Sequence, residues 1–238
     1  MSVTAASASA TLTADEIVVE TALGGLRYCL ANFNKTINLA TTGAGGMDTG
    51  SAPASGYVAL YAIYNPTTQT AALLATNATS AVAPNVYGGA NMPAGYTASA
   101  LASVWPTNGS GQFVAALQRD RHIAIATTNV LTTTTQQSSL TSLSLAGAIP
   151  KNAVSVDGIY TIAISGSGAS QLAMAVCGTA GGVGSQTFVA NMTWAAGQGY
   201  AGSFRNLAIL IAQTLYYTAT LSSGTASNIQ ISMTGYDF

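Results

Sequence analysis

The chain has 238 residues, of which 5% are charged: six basic and seven acidic side chains, with a formal net charge of -1. Ordinary soluble domains carry about 25% charged residues. Nucleic-acid binding scales with the number of phosphates that Lys and Arg neutralise, so six scattered basic residues exclude nucleic acid as a partner.

A net charge this close to zero does little to keep copies apart in solution, which predicts an oligomer. The mean hydropathy of +0.38 raises the question of a membrane. A spanning helix needs about 20 consecutive apolar residues. Here Gly, Thr, Ser or Asn breaks every apolar run sooner, so a membrane-spanning helix is not expected. An outer-membrane barrel would alternate sharply along each strand, whereas Tyr57 to Tyr64 is apolar on both faces. Met1 to Ala6 also has neither the basic flank nor the apolar core of a signal peptide.

In chain order, residues 1–13 are small, uncharged and aperiodic, and read as an N-terminal arm, either flexible or ordered by docking. Thr13 to Glu16 matches a capping box, but the β-branched Ile17-Val18-Val19 favours a strand. Gly24-Gly25 marks a turn, and strands are predicted over 26–31 and 35–40. The stretch 43–76 organises the chain. A glycine-rich loop leads into Tyr57-Val-Ala-Leu-Tyr-Ala-Ile-Tyr64, then the turn 65–70, then the apolar run 71–75. Apolar residues on both faces require cover on both sides, and Pro66 fits only the turn, so this is a central antiparallel hairpin.

Residues 77–96 contain Pro84, Gly88-Gly89 and Pro93-Ala-Gly95 and read as a long ordered loop. Loops of this kind are usually functional or interfacial. Its candidate interaction residues are Asn85, Tyr87, Asn91 and Tyr96, expected on the surface and suited to stacking on a sugar or packing on a neighbouring subunit. Local packing of the loop on its own sandwich is the competing reading.

A second hairpin is predicted from 98–105 and 112–118 around Asn108-Gly109, a strong turn signal. Arg119-Asp120-Arg121 forms an ion-paired cluster at a strand end or a subunit contact. The polar tract 127–144 reads as a linker or as an edge strand with a loop, and a soft division falls at 127–150. Beyond it, 158–164 and 171–177 form a third predicted hairpin, and further strands cover 188–194, 207–211, 215–221 and 229–234. In the last of these Ile229, Ile231 and Met233 alternate with polar residues, leaving one wet face. Cys29 and Cys177 both sit in apolar runs and are expected to be buried free thiols.

About twelve or thirteen short strands at this spacing, with no long helical pattern, predict an all-β, antiparallel β-sandwich, jelly-roll-like, over 14–238 as one unit.

Catalysis lacks parts. His122 is the single histidine and no GxSxG occurs, so no Ser or Cys has an evident base. Glycoside hydrolysis needs two carboxylates about 5–10 Å apart, and Asp48, Asp120 and Asp157 are candidates by elimination alone. Gly197 to Gly202 matches GxGxxG without the strand–helix context that gives the motif meaning. No CxxC suggests a zinc site. The chain is therefore expected to be no enzyme, with no metal and no cofactor.

The wording MDTGSAPASGYVALYAIYNPTTQTAALLA, with PNVYGGANMPAGY at 84–96 and SVWPTN at 103–108, resembles a family of bacteriophage virion proteins that occur as tail proteins, tail-fibre segments and prophage structural proteins. The likeness spans roughly Asp15 to Phe238 and includes the closing ISMTGYDF. It implies a non-enzymatic, tail-associated fibre or appendage located on the virion. Its partners would be other virion proteins, further copies in a homotrimer, and a host-surface glycan or protein. The alternative is a head-decoration or collar protein that meets virion subunits alone.

Overall fold

A computed structural model describes all residues, 1–238, as fifteen β-strands and no helix. The all-β, antiparallel character expected from the strand-sized apolar runs is what the chain shows. Its contacts fall into two compact units. One comprises Met1–Ile123 with Pro150–Asn152, the other Ala124–Ile149 with Ala153–Phe238. The chain passes from the first unit into the second at Ile123/Ala124.

The first unit contains β1 (Ser2–Val3), β2 (Ser9–Glu20), β3 (Arg27–Asn38), β4 (Tyr57–Asn65), β5 (Thr70–Asn77), β6 (Ala98–Pro106) and β7 (Ala116–Arg119). Five of these form a sheet in the order β3-β2-β6-β4-β5. β4 lies between β5 and β6, antiparallel to both. Every residue from Tyr57 to Ile63 is buried, as its two apolar faces require. Asn65 starts the turn into β5, its side-chain oxygen accepting from the Thr67 and Thr68 N–H groups at 3.0 and 3.2 Å.

The glycine-rich loop before β4 serves as a brace across the curled sheet. Gly45 N–H donates to the Leu73 carbonyl and Asp48 N–H to the Ala75 carbonyl, both at 2.7 Å. Ala75 N–H donates back to the Gly46 carbonyl at 2.9 Å, and Asn38 N–H, at the end of β3, donates to Gly45 at 2.8 Å. Residues 45–48 therefore join the outer edge of β5 to the end of β3. A Cβ at Gly46 would strike the Thr41 carbonyl, so glycine is required for this approach.

Several local expectations are corrected. Residues 1–13 are no free arm: β1 pairs with β7, Ser7 bridges Phe113, and β2 begins at Ser9. The strands expected over 26–31 and 35–40 are one strand, β3, running through Asn32 with φ of 50°. The 98–118 hairpin opens as read, with the bridge Thr107↔Phe113 across the Asn108 turn. It then parts, because β6 is already flanked by β4 and β2 and β7 goes to β1. Cys29 is exposed, because β3 is an edge strand with an outward face.

The second unit contains β8 (His122–Thr133, from Ala124 onward), β9 (Gln137–Ser144), β10 (Ser155–Ile164), β11 (Gly168–Cys177), β12 (Gln186–Trp194), β13 (Gly199–Ala208), β14 (Thr214–Leu221) and β15 (Ala226–Asp237). One layer runs β8-β15-β10-β13 and the other β9-β14-β11-β12, with β10 against β11 and β12 against β13. Successive strands alternate between layers except at the β11–β12 hairpin, which is the strand order of an eight-stranded jelly roll. Ile162, Leu172, Met174, Val176, Leu215 and Ile231 fill the space between the layers.

This order explains two further departures. β10 and β11 do not form the expected hairpin: the turn at 165–167 carries the chain from one layer to the other, and β10 pairs with β13 and β15. Ser232 in β15 is buried although it lies on the face expected to be wet, because β15 sits between β8 and β10.

Candidate functional site

The long loop between β5 and β6, residues 78–97, has no regular structure but many anchors. Tyr61, in the middle of β4, donates its hydroxyl to the Pro84 carbonyl at 2.8 Å. The Asn85 carbonyl accepts from Leu101 N–H at 2.8 Å, and Tyr87 N–H donates to Ser99 Oγ at 2.9 Å. On the other flank, Ala83 exchanges two hydrogen bonds with the Asn152 side chain at 2.9 and 2.8 Å, and Lys151 Nζ donates to the Ser80 carbonyl at 2.7 Å. These bonds account for Pro150–Asn152 belonging to the first unit.

Of the four candidate interaction residues, Asn85 and Asn91 are exposed and Tyr96 is half-buried. Tyr87 is buried, against the expectation of exposure. Its ring meets Tyr61 edge-on, with centroids 5.5 Å apart. Its hydroxyl donates to Asp48 Oδ2 at 3.0 Å and accepts from Asn91 N–H at 3.1 Å. Burial, then the bond to the Asp48 carboxylate, hold the Tyr87 phenol above its ordinary pKa. The Tyr61 phenol is raised for the same first reason, with Tyr87 and Asp48 adding to it. Tyr87 is thus a structural post, and Asn85, Asn91 and the outer part of Tyr96 are what the loop presents outward.

The ionisable groups considered for chemistry are engaged locally. Asp48 anchors Tyr87, and its other oxygen accepts from Thr49 N–H at 2.8 Å. Asp157 is buried, where Oδ1 accepts from Asn206 N–H at 2.7 Å and Oδ2 from the Arg205 guanidinium at 3.1 Å. Asp120, with φ of 51°, occupies the turn after β7, and the half-buried His122 opens β8. No three His, Cys, Asp or Glu side chains gather in a metal-binding group. A shallow depression of about 300 Å³ near Ala8, Leu39, Ser51 and Gln112 is lined by no ionisable side chain.

The second unit holds a feature the sequence reading missed. Tyr160 on β10 stacks on Phe188 of β12, centroids 5.0 Å apart and planes 9° from parallel. Phe188 meets Tyr200 of β13 at 5.0 Å, and Tyr160 also stacks on Phe204 at 5.6 Å. This row runs from the buried Tyr160 to Tyr200, which is 45% exposed. The signal was hidden because Tyr200 sits inside GQGYAG, which reads as loop, while its partners lie far away in sequence.

No protein-family model matches the chain, and no curated protein or solved structure matches it.

Proposed function

We propose that the chain is a non-enzymatic bacteriophage virion protein, a tail-associated fibre or appendage that presents loops to a host-surface glycan or protein. One observation carries the reading: the three stretches that resemble phage tail proteins depend on one another in space. The first supplies Asp48, β4 and most of β5, the second the loop at 84–96, the third the end of β6. The bond Tyr87–Asp48 joins the second to the first, and the β4–β6 ladder joins the first to the third. The three stretches that carry the resemblance therefore lie together in one folded unit.

Two further points support it. The jelly roll recurs in viral capsid and lectin domains, which is an argument from fold analogy. Asn85, Asn91, Tyr96 and Tyr200 supply amide and aromatic groups of the kind that bind and stack on sugars. Assembly as a homotrimer is carried over from the resemblance alone.

The rival reading is a head-decoration or collar protein, and the buried Tyr87 favours it, since it removes one aromatic face from the adhesive loop. Binding of the purified protein to host cells tests the difference. Saturable binding, weakened by replacing Asn85, Asn91 and Tyr96 together, is the expected result. Absence of binding by a folded protein that is present in particles supports the rival.

A further inference from the structure

Edge strands expose a row of unpaired N–H and C=O groups, and natural sheets blunt them with Lys, Pro, bulges or short length. β13 shows such blunting. It carries Arg205, and its ladder with β10 slips at Asn206, where φ is 48°. The two edges of the other layer, β12 and β9, have none of these residues. β12 reads QTFVANMTW and β9 reads QSSLTSLS, with no charge and no proline in either.

β12 pairs with β11 through nine successive partners without a register shift, so its free edge is straight. Val189 and Met192, on its opposite faces, are 56% and 58% exposed. β9 keeps regular register with β14 over Thr141–Ser144, and its ladder slips beyond Thr141, where Ala219 is paired with Gln137, so the straight edge of β9 is its C-terminal half. Strand sense completes the match. In the antiparallel order β9-β14-β11-β12, β9 and β12 run in opposite directions. Setting the β12 edge of one copy beside the β9 edge of the next therefore continues the antiparallel alternation.

We infer that β12 and β9 are the two halves of a head-to-tail interface between copies of this chain, formed by continuing the sheet from one copy to the next. The nine-residue edge of β12 offers about four N–H and four C=O groups, and the straight half of β9 about two of each. A symmetric β12–β12 pair would engage one edge and leave β9 open, whereas the head-to-tail contact engages both edges. Such a contact closes into a ring or runs on as a fibre. The inference rests on the edges themselves, and holds or falls whether or not the protein belongs to a virion.

The test uses the full chain with a lysine placed on either edge at an exposed, outward position: Val189→Lys on β12 and Ser142→Lys on β9. Light scattering and far-UV circular dichroism read mass and fold. The wild type is expected to be a closed ring or an open chain of copies, and each variant a folded monomer. An equimolar mixture of the two variants then forms a one-to-one dimer of twice the 23.8 kDa monomer mass, because one free β9 and one free β12 remain. A wild-type monomer at high micromolar concentration overturns the inference. So does a Ser142→Lys variant that still dimerises by itself, which is the signature of β12–β12 pairing, or a mixture that stays monomeric.

Discussion

Replacing Asp157 isolates what one buried carboxylate contributes to the jelly roll. The residue sits where β10 changes register against both neighbours, and it is 4% exposed. The backbone N–H of Asn206 donates to it at 2.7 Å from the bend in β13. The Arg205 guanidinium donates at 3.1 Å from a side chain that is 73% exposed. A hydrogen bond to a charged group is worth about 1.5–3 kcal/mol, whereas an ion pair with one partner in water contributes about 1 kcal/mol or less. Asp157→Ala should therefore destabilise the second unit by about 2–4 kcal/mol, and Asp157→Asn, which keeps an acceptor, by about half as much. Arg205→Ala should cost about 1 kcal/mol or less, since Asp157 retains its backbone donor.

The two tryptophans allow the units to be read separately, because Trp105 is buried in the first and Trp194 in the second. Fluorine NMR of protein labelled with 5-fluorotryptophan during urea unfolding should show the Asp157→Ala loss at Trp194 alone. An Arg205→Ala cost equal to that of Asp157→Ala would refute the reasoning. It would mean that charge attraction, and not the bond to the β13 backbone, carries the effect.

Other expectations concern the first unit and the thiols. Gly46→Ala drives a methyl group into the Thr41 carbonyl and should cost about 1–3 kcal/mol by overpacking, unfastening the brace between β3 and β5. Gly43→Ala meets open space but has φ of 86°, and should cost about 1–2 kcal/mol from backbone strain alone; urea midpoints at Trp105 rank the two. Burial raises the Tyr57 and Tyr61 phenols above their ordinary value of 10.0, so their contribution is complete below pH 10.0. The unfolded chain releases those protons first, so stability falls as pH climbs from there toward the folded pKa, by about 1.4 kcal/mol per pH unit per group. Phenolate absorbance that rises for these residues only together with unfolding checks this; free ionisation in the folded state contradicts it. One thiol, Cys29, should react quickly with a disulfide reagent in the native protein. Cys177, buried and with its thiol pKa pushed up by that burial, should react only on unfolding.

The parts of the fold legible in the sequence were those where hydrophobic pattern alone decides. Tyr57 to Ile63 could only be a strand covered on both faces, and Ile229, Ile231 and Met233 could only face a core. Turn signals were legible as turns but not as destinations. Asn108-Gly109 does reverse the chain, and Gly166 to Gly168 does end a strand, yet which sheet receives the next strand depends on edges already occupied elsewhere. β9 was legible as one of two readings of the tract 127–144, an edge strand beside a linker, while β13 was obscured because an edge strand with little burial needs no apolar alternation. The same limit applied to the loop at 78–97. Its length and turn residues were readable, but the burial of Tyr87 follows from Asp48, Tyr61 and Ser99, which come from three separate segments.

We propose above that this chain is a building part of a phage particle. Quantitative mass spectrometry of phage particles purified from cells that make the chain tests this proposal. Recovery of the protein in a fixed, whole-number copy ratio to the tail proteins is the expected result. Particles that are intact and infectious yet contain none of it would contradict the claim.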